Sequence, residues 1–239
     1  MFGLYVGNSS ACISMLKDGE VQVLVNDVGS RVTAASVEIL DNERVVGVTA
    51  KAGPNNGGNV IFQSKMYLSP ERVSENKVEG YCSVMSKEDG GYDYVVDTGS
   101  KKIGVTPKEV AIEIFHYLYK IASSASQGCG DICAILTVPH SFSQEAKDEF
   151  HDAALTGGFK ILQVITDDAA AIMAYDCLAI EEATRKILVY RAGGTSIDVS
   201  VAHVVNGMLK IVKSVFEPGP SGNALTTAIF DYIARDVEM

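Results

Sequence analysis

The sequence predicts an α/β protein in which one hairpin pattern occurs twice, and three observations carry that expectation. Asp18-Gly19 sits between alternating apolar runs, the strongest short-range hairpin signal. Strand and helix patterns alternate from Thr106 to Leu178, the rhythm of a right-handed βαβ layer with a mainly parallel sheet. The strand, glycine turn, strand, hairpin turn and strand that open the chain then recur from Ile187 to Ile211.

Taken in order, Phe2–Val6, Ala11–Leu16 and Val21–Val25 read as three strands, the first short and apolar, the others alternating. Val32–Leu40 and Glu43–Val48 read as two more around Asp41-Asn42, and the run from Ala52 to Gly58, rich in Gly, Pro and Asn, reads as a loop. From Gln63 to Gly104 the chain is polar and weakly periodic, with one strand at Tyr92–Val96. Residues 41–105 are therefore taken as a small inserted subdomain. Thr106-Pro107-Lys108-Glu109 supplies a capping hydroxyl, a proline at the first helical position and an acid two residues on, so a helix starts there and runs to about Ser124. Asp131–Val138 is a buried strand that Pro139 stops. Ser143 caps a helix with Ala146, Phe150, Ala153 and Ala154 near helical spacing, ending at Gly157-Gly158. Phe159–Ile165 is a strand and Asp167 to about Leu178 a helix. The charged run Glu181-Glu182-Ala183-Thr184-Arg185-Lys186 reads as a link between domains at 1–185 and 186–239.

Composition narrows the function classes. With 239 residues, 47% hydrophobic and 21% charged, the chain can bury a large core. Thirty acids against 20 Lys and Arg give a net charge of −10, which argues against nucleic acid as a partner, although backbone N–H groups can still build a local anion site. No apolar run of about 18 residues is present, so no membrane span is expected. The N-terminus lacks the basic and apolar regions of a secretory signal, which points to the cytoplasm. Cys12, Cys82, Cys129, Cys133 and Cys177 contain no CxxC pair and no nearby histidine, so they read as reduced buried thiols. His116, His140, His151 and His203 form no triad or metal pattern and read as structural.

The repeat carries the chemistry. Gly7-Asn8-Ser9 and Gly193-Gly194-Thr195-Ser196 occupy equivalent first turns in the two copies. Such small residues let backbone N–H groups approach phosphate oxygens, and two copies suggest two lobes facing one ligand. The alternative, that both turns are ordinary hairpin connectors, stays open on these residues alone.

At these residues the chain resembles the nucleotide-binding domain of the 70-kDa heat-shock chaperone family, within the actin-like ATPase (ribonuclease-H-like) fold. Asn26 to Thr33 resembles the segment after the family's first hairpin. Asn59 to Lys65 resembles the stretch with its catalytic lysine, and Leu136 to Phe142 its TVPAYF segment. Ala169 to Tyr175 resembles its alanine-rich helix and Ile187 to Ser200 its second phosphate loop. The match is collinear, and a divergent, ribosome-linked branch whose second loop also reads Gly-Gly-Thr-Ser fits best. The resemblance implies a nearly complete lobe I with an inserted subdomain and a truncated lobe II.

The resemblance further implies ATP or ADP as ligand. Gly7, Asn8 and Ser9 match the first phosphate loop, and Gly193, Gly194, Thr195 and Ser196 the second. Lys65 matches the phosphate-contacting lysine, Asp198 the metal-site carboxylate after the second loop, and Asp167 a glutamate near the metal. Read without the family, Lys65 is also a surface lysine, Asp198 a strand-turn cap and Asp167 a helix cap. Two acids of the family's Mg²⁺ and water shell are replaced, by Tyr5 and by Arg191, which puts Mg²⁺ in question. Losing them weakens hydrolysis more than binding, and Arg191 can itself neutralise phosphate charge. The expectation is an ATP-binding chaperone-family domain with weak or absent ATPase activity. By family analogy its partners are a J-domain co-chaperone or a ribosome-associated protein. A nucleotide-free interaction module of the same fold is the alternative, and a small-molecule kinase is third.

Overall fold

A computed structural model describes residues 1–52, 59–69, 73, 82–88, 90–126, 130–175, 184–219 and 221–237. Most of the predicted loop before Gly58, part of the inserted subdomain, the predicted helix end at Leu178, Cys129, Cys177 and the start of the charged link at 181–183 lie outside the described residues. The described chain forms two compact units. The first runs from Met1 to Ile165 without Pro139–Ser141; the second holds those three residues and everything from Thr166 onward.

The first unit is built on a sheet in the order β12-β11-β1-β2-β3, comprising β1 (Phe2–Val6), β2 (Ser10–Lys17), β3 (Glu20–Val23), β11 (Cys133–Val138) and β12 (Lys160–Thr166), with β4 (Thr33–Ala34) also on β2. The sheet is mixed, which corrects the mainly parallel expectation. β1 runs parallel to β11, but β2 is antiparallel to both β1 and β3. The reason is local. Asp18 and Gly19 both take positive φ (54° and 84°), the type I′ geometry that returns a chain at once onto its neighbour. A parallel neighbour needs a long crossover, and β1 finds one only at β11.

Helix α2 (Pro107–Ala125) begins with the predicted capping box: the Glu109 amide donates to Thr106 Oγ1, and the Glu109 carboxylate accepts from the Thr106 amide at 2.7 Å. Helix α3 (Gln144–Thr156) is capped by Ser143 as expected. The two helices pack through Phe115 and Phe150, ring centroids 5.0 Å apart, over a core with Leu4, Val6, Ile13, Ile114, Leu118 and Leu136. Gly157 ends α3 where a Cβ would lie 2.5 Å from the Cβ of Phe115, so only glycine lets the helices approach this closely.

Between β4 and α2 lie elements the sequence blurred. The strand predicted over Val32–Leu40 is two strands in different sheets, a correction. Thr33–Ala34 pairs with β2, whereas β5 (Ser36–Ile39) pairs with β6 (Arg44–Val46) and β7 (Val60–Phe62). The switch at Ala35 is fixed by its amide donating to the Ser9 carbonyl and by Ser36 Oγ donating to the Gly47 carbonyl. A short helix α1 (Val48–Lys51) follows β6, a 3-10 turn spans Ser64–Leu68, and β8 (Ser83–Ser86), β9 (Tyr92–Asp97) and β10 (Lys102–Val105) form a third sheet. Beyond β3, Asn26 organises a loop by accepting from the Val28 and Ser30 amides and donating to Thr33 Oγ1. Beside it, the Tyr117 hydroxyl of α2 donates to Asp27.

The second unit opens with α4 (Asp167–Ala174) and an antiparallel meander, β13 (Thr184–Ala192), β14 (Ser196–Val205) and β15 (Met208–Pro218), followed by α5 (Gly222–Val237). Thr184, Arg185 and Lys186, read as part of a link, are the first strand residues and pair with Val205, Val204 and His203. Asn206 and Gly207 repeat the positive-φ pair of the first hairpin, at 49° and 76°. Among the described residues no helix is long and apolar enough to cross a membrane, and Cys12, Cys82 and Cys133 form no disulfide; Cys82 is buried, Cys12 and Cys133 half-buried.

Two measurements check this packing. Gly157→Ala forces its methyl against Phe115 and lowers stability by about 1–3 kcal/mol, read as a drop of several degrees in Tm. Burial first, and the Asp27 hydrogen bond and charge second, push the Tyr117 hydroxyl up to about 12. An acid whose folded pKa is raised contributes stability that is complete below its unfolded value of about 10 and is lost as pH rises from there towards 12. Ultraviolet titration of Asp27→Asn shows the late-ionising tyrosine moving back towards 10.

Candidate functional site

Each unit carries one cluster of the residues singled out by the sequence. In the first unit the turn after β1 closes by the Gly7 amide donating to the Ser10 carbonyl at 2.7 Å. A Cβ on Gly7 would lie 2.8 Å from the Tyr5 hydroxyl and 3.1 Å from the Ser10 carbonyl, so a side chain there would displace the phenol and press on the turn's own backbone. Lys65, in the 3-10 turn, lies beside this loop. It is 5% exposed, not a surface lysine, and its ammonium donates to the Val6 carbonyl. The ammonium also sits over the rings of Phe150 (4.9 Å), Phe142 (5.6 Å) and Tyr5 (5.7 Å). A carbonyl and three aromatic faces offset the cost of burying the charge.

In the second unit the turn after β13 repeats the first: the Gly193 amide donates to the Ser196 carbonyl at 2.8 Å. The carbonyls of Gly193, Gly194 and Thr195 accept from Gly222, Asn223 and Gly219. Among the described residues no peptide is cis, so in each of these planar units the N–H points opposite to the C=O. The N–H groups of Gly194, Thr195 and Ser196, which share those peptide units, are thereby turned away from the partners of the carbonyls. A Cβ on Gly193 would come within 3.2 Å of the Ser196 carbonyl, so the cradle tolerates little bulk.

Arg191 and Asp198 face each other across the β13/β14 register, and Asp167 stands at the start of α4. The structure brings all three together. One guanidinium nitrogen of Arg191 donates to Asp167 Oδ2 and the other to Asp198 Oδ2 at 3.1 Å. The Asp167 side chain is 4% exposed, Asp198 14% and Arg191 28%, so the pairing is largely removed from water. Asp168 and His140, absent from the sequence reading as site residues, border the same cluster. Asp168 is buried, with Oδ2 3.6 Å from His140 Nδ1. The available signals were the Asp167-Asp168 doublet at a helix start and a histidine directly after a strand-ending proline. Ser200 and Ser214 close the floor, Oγ to Oγ at 2.9 Å.

These residues do not fit Mg²⁺. The ion needs carboxylate and water oxygens in a near-octahedral shell. Here Asp167 and Asp198 are engaged by a guanidinium, Asp168 lies beside His140, and the space left among them is about 10 Å³, room for a single water at most. Among the described residues no group of three His, Cys, Asp or Glu is arranged to hold a metal. In each loop, taken by itself, residues as small as Gly and Ser let backbone amides approach an anion closely.

The sequence has relatives among known proteins. A family model described as Hsp70 protein matches residues 1–239. Heat shock 70 kDa protein 14 of Danio rerio is 33% identical over 241 residues, covering 98% of this chain and 47% of that protein. The human protein of the same name is 32% identical over 244 residues, covering 99% and 47%. Heat shock 70 kDa protein 14-A of Xenopus laevis is 34% identical over 248 residues, covering 99% and 47%. The chain spans about half the length of these curated relatives. The mixed α/β architecture is that of the actin-like ATPase fold, as the resemblance implied.

Removing the guanidinium leaves two largely buried carboxylates without their cation. Arg191→Met therefore costs about 2–4 kcal/mol, less than a fully buried pair because Arg191 is partly exposed. Adding Asp167→Asn to that variant restores about 1 kcal/mol or more in urea unfolding, the non-additivity of groups in direct contact.

Proposed function

The chain belongs to the Hsp70 family, and from that premise we propose that it is an ATP-binding domain that hydrolyses its nucleotide feebly or not at all. The observation that carries this reading is the Arg191 guanidinium seated between Asp167 and Asp198. Phosphoryl transfer relies on a metal to neutralise developing charge and on a group that orients the attacking water. Here the acids that would hold the metal are neutralised by a fixed arginine, and a phenol, Tyr5, stands in place of the other acid.

Bound ATP would supply a triphosphate tail with four negative charges. The amides of Gly194, Thr195 and Ser196, with Gly193 keeping the approach open, serve as donors to its oxygens. Asn8 and Ser9 of the first loop serve likewise, with Gly7 holding the turn. Lys65 acts as a positioning residue, fixing the first loop through the Val6 carbonyl. Binding is retained because it rests on backbone donors; turnover is lost because it rests on the missing acids. By the same family reading, residues 1–185 and 186–239 form lobe I and the opening of lobe II. The domain serves a cytoplasmic chaperone whose nucleotide state regulates a J-domain or ribosome-associated partner.

A second reading, a nucleotide-free interaction module, draws support from the buried Lys65 and from the Tyr5 hydroxyl packed over Gly7. One experiment separates the two. A ligand that binds only the folded state at a hundred times its Kd stabilises it by about 2.7 kcal/mol. ATP should therefore raise Tm by several degrees, equally in Mg²⁺ and in EDTA, while single-turnover hydrolysis stays at least about a hundredfold below that of an ordinary family member, a barrier difference of about 2.7 kcal/mol. Hydrolysis at the ordinary rate overturns the proposal. No shift at millimolar nucleotide selects the module.

A further inference from the structure

We propose that the free edge of β3 and the cavity beside it form a docking site for an extended segment of another protein, added as a strand and carrying a carboxylate that meets Lys120. The proposal is independent of nucleotide binding, and it begins from the ladder. Lys17 and Glu20 flank a two-residue I′ turn and so form a hydrogen-bonded pair. The alternation then makes Leu16–Val21 and Ser14–Val23 the non-bonded pairs. Two bonds agree: the Leu16 amide turns away to the Met1 carbonyl, and the Leu24 amide donates to the Ile13 carbonyl. Val21 and Val23 consequently aim their N–H and C=O groups outward, and among the described residues no strand pairs with that side of β3.

This edge is short and begins with Glu20, but its remaining length is open. Its outward-facing residues are Val21 (70% exposed) and Val23 (42%), with Val25 (54%) continuing the row, and it carries no proline, bulge or lysine. Where β3 ends, a cavity of about 550 Å³ opens between Leu24–Asp27 and the last turns of α2, with Leu24, Ile121 and Ala125 as apolar walls. That volume lies within the range of ligand pockets. Side chains alternate across an added strand, so one set falls into this cavity and the other lies along the valines.

Charge selects the occupant. The Asp27 carboxylate keeps its charge but already accepts from Tyr117, whereas the side chain of Lys120, which lines the same cavity, has no ion-pair or hydrogen-bond partner among the described residues. An acid on the incoming strand would complete it. A second copy of this chain is the poorer occupant, because two bodies of net charge −10 repel.

The test uses the 239-residue chain and three blocked, fluorescent octapeptides that alternate valine with threonine. One carries glutamate at its end, one lysine, and one glutamate with a proline at its centre. Anisotropy titrations should show the first binding about threefold to tenfold more tightly than the second, an exposed ion pair of about 0.2–1 kcal/mol gained in one and a like-charge repulsion added in the other, and the third not binding. Lys120→Glu reverses the charge preference. Val23→Pro abolishes binding, since it removes an outward N–H that the fold does not use. Should that variant melt early, Lys120→Glu, at an exposed position, carries the test. Equal binding of all three peptides, an unchanged preference in Lys120→Glu, or a concentration-dependent dimer that Val23→Pro dissolves would each overturn the proposal.

Discussion

The bond pair from Arg191 to Asp167 and Asp198 governs the character of the second cluster. Taking a carboxylate out of water costs several kcal/mol, so two such groups side by side require a cation. A divalent ion with its water shell is one way to supply it. This chain supplies it covalently, from a strand residue that is charged at every relevant pH and whose forked donors reach two acceptors at once. The cation cannot dissociate, and the electrostatics of the cluster do not vary with metal concentration. The antiparallel register of β13 and β14 sets this up by placing residues 191 and 198 opposite each other; a slip of one position would turn the arginine to the other face.

The two copies of the hairpin show how one backbone solution is given different chemistry. In both, a glycine amide closes onto the carbonyl three residues later, and in both the following hairpin turns through a positive-φ pair. The divergence is at the residue two before the glycine. Tyr5 lays its hydroxyl over its own turn, whereas Arg191 reaches sideways to acids on β14 and α4. The loops kept their small residues because backbone approach demands them. The flanking positions were free to change because they decide what is neutralised, not whether the turn forms.

Elements whose signals are local were legible in the sequence: the Asp18-Gly19 hairpin, the Thr106–Glu109 capping box, the Ser143 cap and the Gly157 stop all depend on neighbouring residues alone. What escaped depends on distant partners. The division of Val32–Leu40 between two sheets is decided by Ser9 and Gly47, which no window around residue 35 contains. β8 and β10 were lost in a stretch whose alternation is weak because both are largely exposed, and the 3-10 turn because its burial comes from tertiary neighbours. At the site, the motif matches located Gly7, Lys65, Arg191, Asp167 and Asp198. Spacing could not reveal that Arg191 would pair with both acids, or that Lys65 would turn inward onto three rings. His140 and Asp168, 28 positions apart, become neighbours only through the fold.

The assignment of Pro139–Ser141 to the second unit, while the residues on either side belong to the first, has a practical meaning. His140 reaches Asp168 from a tripeptide that interrupts the other body, so the units are interleaved along the polypeptide. No single cleavage can divide the molecule into two self-sufficient halves. Fragments cut just before Thr166 would leave the imidazole on one piece and its carboxylate neighbour on the other, and only recombination of the pieces would reunite them.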